Sequence, residues 1–142
     1  MKTLEVIEPE KRTVSGENVI QFPLGLLGFE QVKNYVLLSN PGEEPFLWLQ
    51  MLDGTHKSFL LISPFLVSQN YQPDIADDDV DFLGLTGPED ALVLNIVTLR
   101  GGGQATVNLK GPVVINRHTL VGKQVIPNNV AQYTLSHPLP VS

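Results

Sequence analysis

The chain of 142 residues is 42% hydrophobic and 17% charged, with 15 acidic side chains against nine basic ones and a net charge of −6. That is enough apolar material for one packed core and too much for a disordered chain, and the negative balance disfavours direct binding to phosphate backbones. No cysteine is present, so disulfide scaffolds, cysteine zinc sites, iron–sulfur clusters and thiol catalysis are excluded.

Met1-Lys2-Thr3-Leu4-Glu5 turns acidic at once and has no apolar signal core, and no apolar run approaches the ~20 residues needed to cross a bilayer. The expected compartment is the cytoplasm, without membrane attachment. Twelve Gly and 11 Pro, above the usual combined share of about 12%, favour many short elements over a few long helices. Apolar residues recur with period two, or in short runs bounded by Gly, Pro, Asn and Asp. In chain order the predicted strands are Thr3–Glu8, Val19–Phe22, Tyr35–Ser39, Phe46–Leu52, Phe59–Ser63, Leu92–Leu99, Ala105–Leu109, Val113–Ile115, Gln124–Ile126 and Gln132–Leu135. A single turn is expected at Phe29–Lys33. A short helix is expected from Asp77 through Leu83, capped by Asp77, with Ala76, Val80 and Leu83 on one face. Pro88-Glu89-Asp90-Ala91 then opens a second turn. These elements predict a mainly β fold: a small antiparallel, partly open β-barrel of about ten short strands with one or two helical turns, in a single domain spanning 1–142.

Charge is unevenly spread. Asp74 to Asp90 holds seven carboxylates and no Lys or Arg, whereas Gln104 to Ser142 holds Lys110, Arg117 and Lys123 and no acid. The acidic run is either a solvated face or a surface that meets a basic partner.

Enzyme chemistry finds no support. His56, His118 and His137 have no metal-ligand spacing, and there is no G-x-S-x-G nucleophile elbow. Asp77, Asp79 and Asp81 imitate the start of a calcium loop, but Phe82 stands where that loop needs Gly and Pro88 where it needs Glu. Gly101-Gly102-Gly103 lies between two predicted strands, so it reads as a hairpin and not as a phosphate cradle. No metal, cofactor or catalytic residue is expected. Trp48, on the opposite face of its strand from Leu47 and Leu49, is either core or a partner anchor.

Phe22-Pro23-Leu24-Gly25-Leu26-Leu27-Gly28-Phe29-Glu30 resembles the F-P-x-G-x-x-G-F-E signature of the flagellar assembly factor FliW family. Further blocks follow in the family's order: Pro45-Phe46-Leu47-Trp48-Leu49-Gln50, Ser63-Pro64-Phe65, Tyr71-Gln72-Pro73-Asp74, Glu89-Asp90, Thr106 through Asn116, Lys123-Gln124-Val125-Ile126 and His137-Pro138-Leu139. Gly111 stands where the family commonly has Ala, and Gly101–Gly103 replaces a charged hairpin. The resemblance implies a non-enzymatic switch that binds flagellin and, once flagellin is exported, binds the translational regulator CsrA away from its RNA surface. With a net charge of −6, no direct nucleic-acid partner is expected, and the chain is expected to be a monomer when alone. Flagellin's amphipathic helical ends imply an apolar groove, for which Phe22, Leu26, Phe29, Trp48, Phe65 and Tyr71 are the candidates. Asp77, Asp78, Asp79 and Asp81 are the candidate acidic face against CsrA. The competing reading is a small-molecule-binding β-barrel or cofactor-dependent enzyme, which requires an enclosed cavity with convergent polar groups.

Overall fold

The computed structural model describes residues 19–52 and 57–139, and among these the chain forms nine strands, one α-helix and three short 3₁₀ turns. The predicted strand Thr3–Glu8 and the turn at Asp53-Gly54-Thr55-His56 lie outside the described residues. Ile20–Gln21 (β1), Asn34–Leu38 (β2), Leu47–Met51 (β3) and Ser58–Ile62 (β4) form an antiparallel meander. Period two sends Tyr35, Leu37, Leu49, Met51 and Leu61 into the main core, and Val36, Leu38 and Trp48 to the other face.

Ala91–Arg100 (β5) organises the rest. Residues 95–97 of β5 pair with β4, residues 97–100 with Gln104–Val107 (β6), and residues 91–94 with Val113–Asn116 (β7). Gly122–Gln124 (β8) extends the arm from β7, and His137–Leu139 (β9) extends the arm from β6. A parallel bridge between Gln21 and Val121, with Gln21 N donating to Leu120 O at 2.9 Å, draws β8 against β1. The sheet therefore curls into a half-barrel, antiparallel and partly open as expected from its short strands.

Phe22 packs edge-on to Tyr35 at 5.1 Å between ring centroids. Its ring also lies against the backbone of Gly122, where a Cβ would fall 2.6 Å from Phe22 Cε2. Gly25 adopts φ 69°, and a Cβ there would come within 2.5 Å of Glu30 Cα, which is why the turn after Pro23 needs glycine.

Polar side chains fix the strand ends. Asn108 Oδ1 accepts from Lys110 N and Gly111 N at 2.9 and 3.0 Å, while Asn95 Nδ2 donates to Asn108 O at 2.7 Å; together they shape the loop that carries β6 into β7. Gln124 accepts from Leu27 N and donates to Gly111 O, each at 3.0 Å, tying that loop to the Gly-rich turn.

The helix Asp77–Leu83 (α1) matches the expected span, and Gly84 caps its C-terminus. Two details differ from expectation. Ala76 is the N-cap and no side chain caps the helix; Asp77, Asp78 and Asp79 occupy its first turn, where the helix dipole favours acids. The inward face carries Asp79 and Leu83 as its buried pair, one i, i+4 step apart, and leaves Val80 half-buried. Asn116 Nδ2 donates to Leu83 O at 2.8 Å and so fastens the helix end to β7.

Two predicted strands are displaced. Gln124–Ile126 gives way to β8 at Gly122–Gln124, because the Phe22 ring makes glycine the pairing residue there. Gln132–Leu135 gives way to a 3₁₀ turn at Val130–Gln132 followed by β9. Asn129 holds that turn by accepting from Asp74 N at 2.8 Å and donating to Gln72 O at 2.9 Å, and Pro138 is accommodated in a terminal strand.

After α1 the chain is locked by Asp90. Its Oδ2 accepts from Thr86 Oγ1 at 2.6 Å, Thr86 N at 2.9 Å and Gly87 N at 3.2 Å, while His118 Nε2 lies 3.0 Å from Oδ1. The Thr86 hydroxyl and amide, outweighing burial, lower the Asp90 carboxyl from 3.8 to about 2.

Two outcomes follow from this packing. Gly122→Ala overpacks the contact with Phe22 and lowers stability by about 1–3 kcal/mol, read as a lower urea midpoint; an unchanged midpoint would show that the ring moves aside freely. Because the folded carboxyl of Asp90 titrates below its unfolded value, its stabilisation is complete above about pH 4 and is lost as pH falls toward about 2. The stability gap between the parent and Asp90→Asn, followed by urea unfolding against pH, is therefore largest near neutrality and closes across that acid window.

Candidate partner-binding groove

Besides the patch of Val36 and Leu38, the outer face of the half-barrel carries two further buried apolar patches. Leu83 of α1 packs on Val114 and Val125, joined by the half-buried Ile75, Leu85 and Val93. Farther along, Tyr71 and Tyr133 stack edge-on at 4.7 Å over Val97, Ala105 and Val107, and Tyr71 OH donates to Leu109 O at 2.8 Å. A groove of about 600 Å³ lies at the margin of the first patch, reaching from the Pro64–Leu66 turn to α1 and lined mainly by Phe65, Pro73, Ile75, Val80, Leu85 and Val93. It is open and mostly apolar, with Thr86 and Arg117 among its few polar groups. Phe65 is 54% exposed and Leu66 62%, so apolar surface continues past its mouth.

The helix beside the groove carries the acids. Asp77, Asp78 and Asp81 are exposed, whereas Asp79 is buried and paired with Lys123. The Lys123 ammonium also lies 5.4 Å from the Phe82 ring centroid. The expected face of four carboxylates is therefore a face of three, because Asp79 points to the barrel and is neutralised there.

The six candidate groove residues are not brought together. Phe22 and Leu26 belong to the main core, at 0% and 1% exposure, and Tyr71 is buried at 1% in the second patch. These three present no surface to a partner, because the turns they flank fold their side chains inward. Phe29 is half-buried, edge-on to Phe59 at 5.2 Å with Lys57 above its ring. Trp48 sits on the outer face with Val36 and Leu38 and borders a different hollow. Of the six, only Phe65 lines the groove.

Sequence reasoning missed Ile75, Val80, Leu85 and Val93 as lining residues, since each reads as ordinary core. The one local signal was Phe65-Leu66, two large apolar residues in a Pro-opened turn where no strand could bury them.

Among the described residues no cluster of three or more His, Asp or Glu side chains could hold a metal. No helix among them is long and apolar enough to cross a membrane.

The sequence model of the FliW protein family matches residues 4–139. A flagellar assembly factor FliW from Leptospira interrogans is 37% identical over 121 residues, covering 84% of this chain and 81% of that protein. One from Natranaerobius thermophilus is 37% identical over 128 residues, covering 89% and 84% respectively. A crystal structure of the flagellar assembly factor FliW superposes with a TM-score of 0.80 at 34% identity, covering 89% of each chain. A family match along nearly the whole chain, joined to the same fold, leaves one assignment: this chain is a member of the FliW family.

Proposed function

We propose that this chain is a cytoplasmic flagellar assembly factor that works by exchanging protein partners and not by catalysis. It binds flagellin; when flagellin is exported, it binds CsrA away from the RNA surface and relieves repression of the flagellin message. The observation that carries this reading is the open apolar groove of about 600 Å³ beside the three exposed carboxylates of α1. An amphipathic helix buries its apolar stripe in such a groove, as the terminal segments of flagellin require. Carboxylates brought near a basic RNA-binding surface lower its attraction for phosphate within about a Debye length, ~8 Å at physiological salt.

The two tasks can be separated by mutation. Phe65→Glu places a charge on an exposed groove residue, so it lowers flagellin affinity about tenfold or more. Its urea midpoint stays near that of the parent; calorimetric titration showing parental affinity would remove the groove from the flagellin site. The triple variant Asp77→Asn, Asp78→Asn and Asp81→Asn leaves the Asp79–Lys123 pair intact. In a mixture of this chain, CsrA and flagellin leader RNA, the triple variant restores much of the RNA binding that the parent suppresses. RNA affinity equal to that with the parent would show that these carboxylates supply no such field.

A further inference from the structure

A second hollow, of about 290 Å³, is lined by Gly42, Glu43, Glu44, Phe46, Trp48, Leu60 and Leu99. It shares no lining residue with the groove. Trp48 and Leu60 are direct cross-strand partners on the outer face of β3 and β4, and Leu99 extends this apolar floor at 68% exposure. The hollow lies at the small end of ligand-pocket volumes, which run from about 300 to 1,000 Å³, so it suits one or two side chains and not a cofactor.

The rim is acidic and no Lys or Arg lines it. Glu43 Oε1 accepts hydrogen bonds from Asn40 Nδ2 and, at 3.1 Å, from Trp48 Nε1. Those two donors, Asn40 foremost, lower the Glu43 carboxyl below its usual value, so its charge is fixed beside the indole. Oε2 of Glu43 has no partner among the described residues, and Glu44 is exposed. An indole wall, two carboxylates and an exposed leucine form one small concavity. That chemistry selects a planar cation carrying an apolar neighbour. Guanidinium stacks on an aromatic face and offers a fork of donors to carboxylates; a lysine ammonium is more strongly hydrated and cannot do both as well.

We propose that this hollow is a docking site for an arginine side chain of a basic protein partner, its guanidinium stacked on Trp48 and facing the Glu43 and Glu44 carboxylates at the rim, with its apolar neighbour on Leu99. The assignment is independent of the groove, so it stands or falls without the flagellin reading.

Trp48 is the single tryptophan of the chain and reports directly on its own site. The full chain is titrated with N-acetyl-leucyl-arginine amide and, separately, with the neutral isostere N-acetyl-leucyl-citrulline amide, following tryptophan emission. The arginine peptide gives a saturable change in the millimolar range, and the citrulline peptide binds at least tenfold more weakly. The double variant Glu43→Gln, Glu44→Gln, whose substitutions are both on the surface, keeps the parental urea midpoint and loses at least fivefold in arginine-peptide affinity. Equal responses to the two peptides, no response to either, or parental affinity in the double variant would overturn the proposal. Sedimentation showing a dimer that the arginine peptide dissociates would assign the hollow to a second copy of this chain and overturn the foreign partner.

Discussion

A phenyl ring laid on a backbone that has no side chain is the contact around which this barrel turns. Phe22 follows the two residues of β1 directly, and Gly122 opens β8. With any Cβ at Gly122 the ring would have to retreat, and β8 would move away from β1. The Gln21–Leu120 hydrogen bond and the Gln21–Val121 bridge lie on the same seam. Closure here buries Ile20, Phe22, Leu26 and Ile115 almost completely, and burial of such side chains is worth roughly 1.5–3 kcal/mol each. The seam therefore decides whether the inner face is a core or an exposed sheet.

Around that seam, a few amide side chains do the work that regular ladders cannot. Asn95, Asn116 and Gln124 are buried, and each donates to a backbone carbonyl of a distant segment. Unpaired, such carbonyls in the interior would each cost about 1–3 kcal/mol. Paired, they hold the β6–β7 loop, the end of α1 and the Gly-rich turn in fixed relation to the strands. The groove inherits its shape from this framework: α1 is fastened through Asn116, and the Thr86–Gly87 segment through Asp90.

The strands were legible in the sequence wherever a short apolar run, alternating or continuous, is bounded by Gly, Pro, Asn or Asp. Asn34–Leu38, Leu47–Met51 and Ala91–Arg100 show this pattern, and α1 was legible from its acids and its terminal glycine. β8 and β9 were obscured by residues that ordinarily end strands: Gly122 is required by a ring 100 positions away in sequence, and Pro138 is allowed by its place in a terminal strand. The family blocks were legible, yet most prove to be scaffold. Phe22 and Leu26 fill the main core and Tyr71 is buried in the second outer patch, so these motif residues are scaffold. The surface that remains is written in undistinguished residues, Ile75, Val80, Leu85 and Val93, whose neighbourhood exists only after folding. The burial of Asp79 has the same origin, since its partner Lys123 is 44 residues away.

One strand runs beneath both exposed apolar surfaces. Val93 lines the groove and Leu99 the tryptophan hollow, and both lie on β5 an even number of residues apart. Their shared orientation is a matter of parity: adding or deleting a single residue between them would turn one of the two inward. Unless a β-bulge absorbs the change, variation in length within that stretch keeps both orientations only in pairs, so the spacing between the two surfaces changes in steps of about 7 Å.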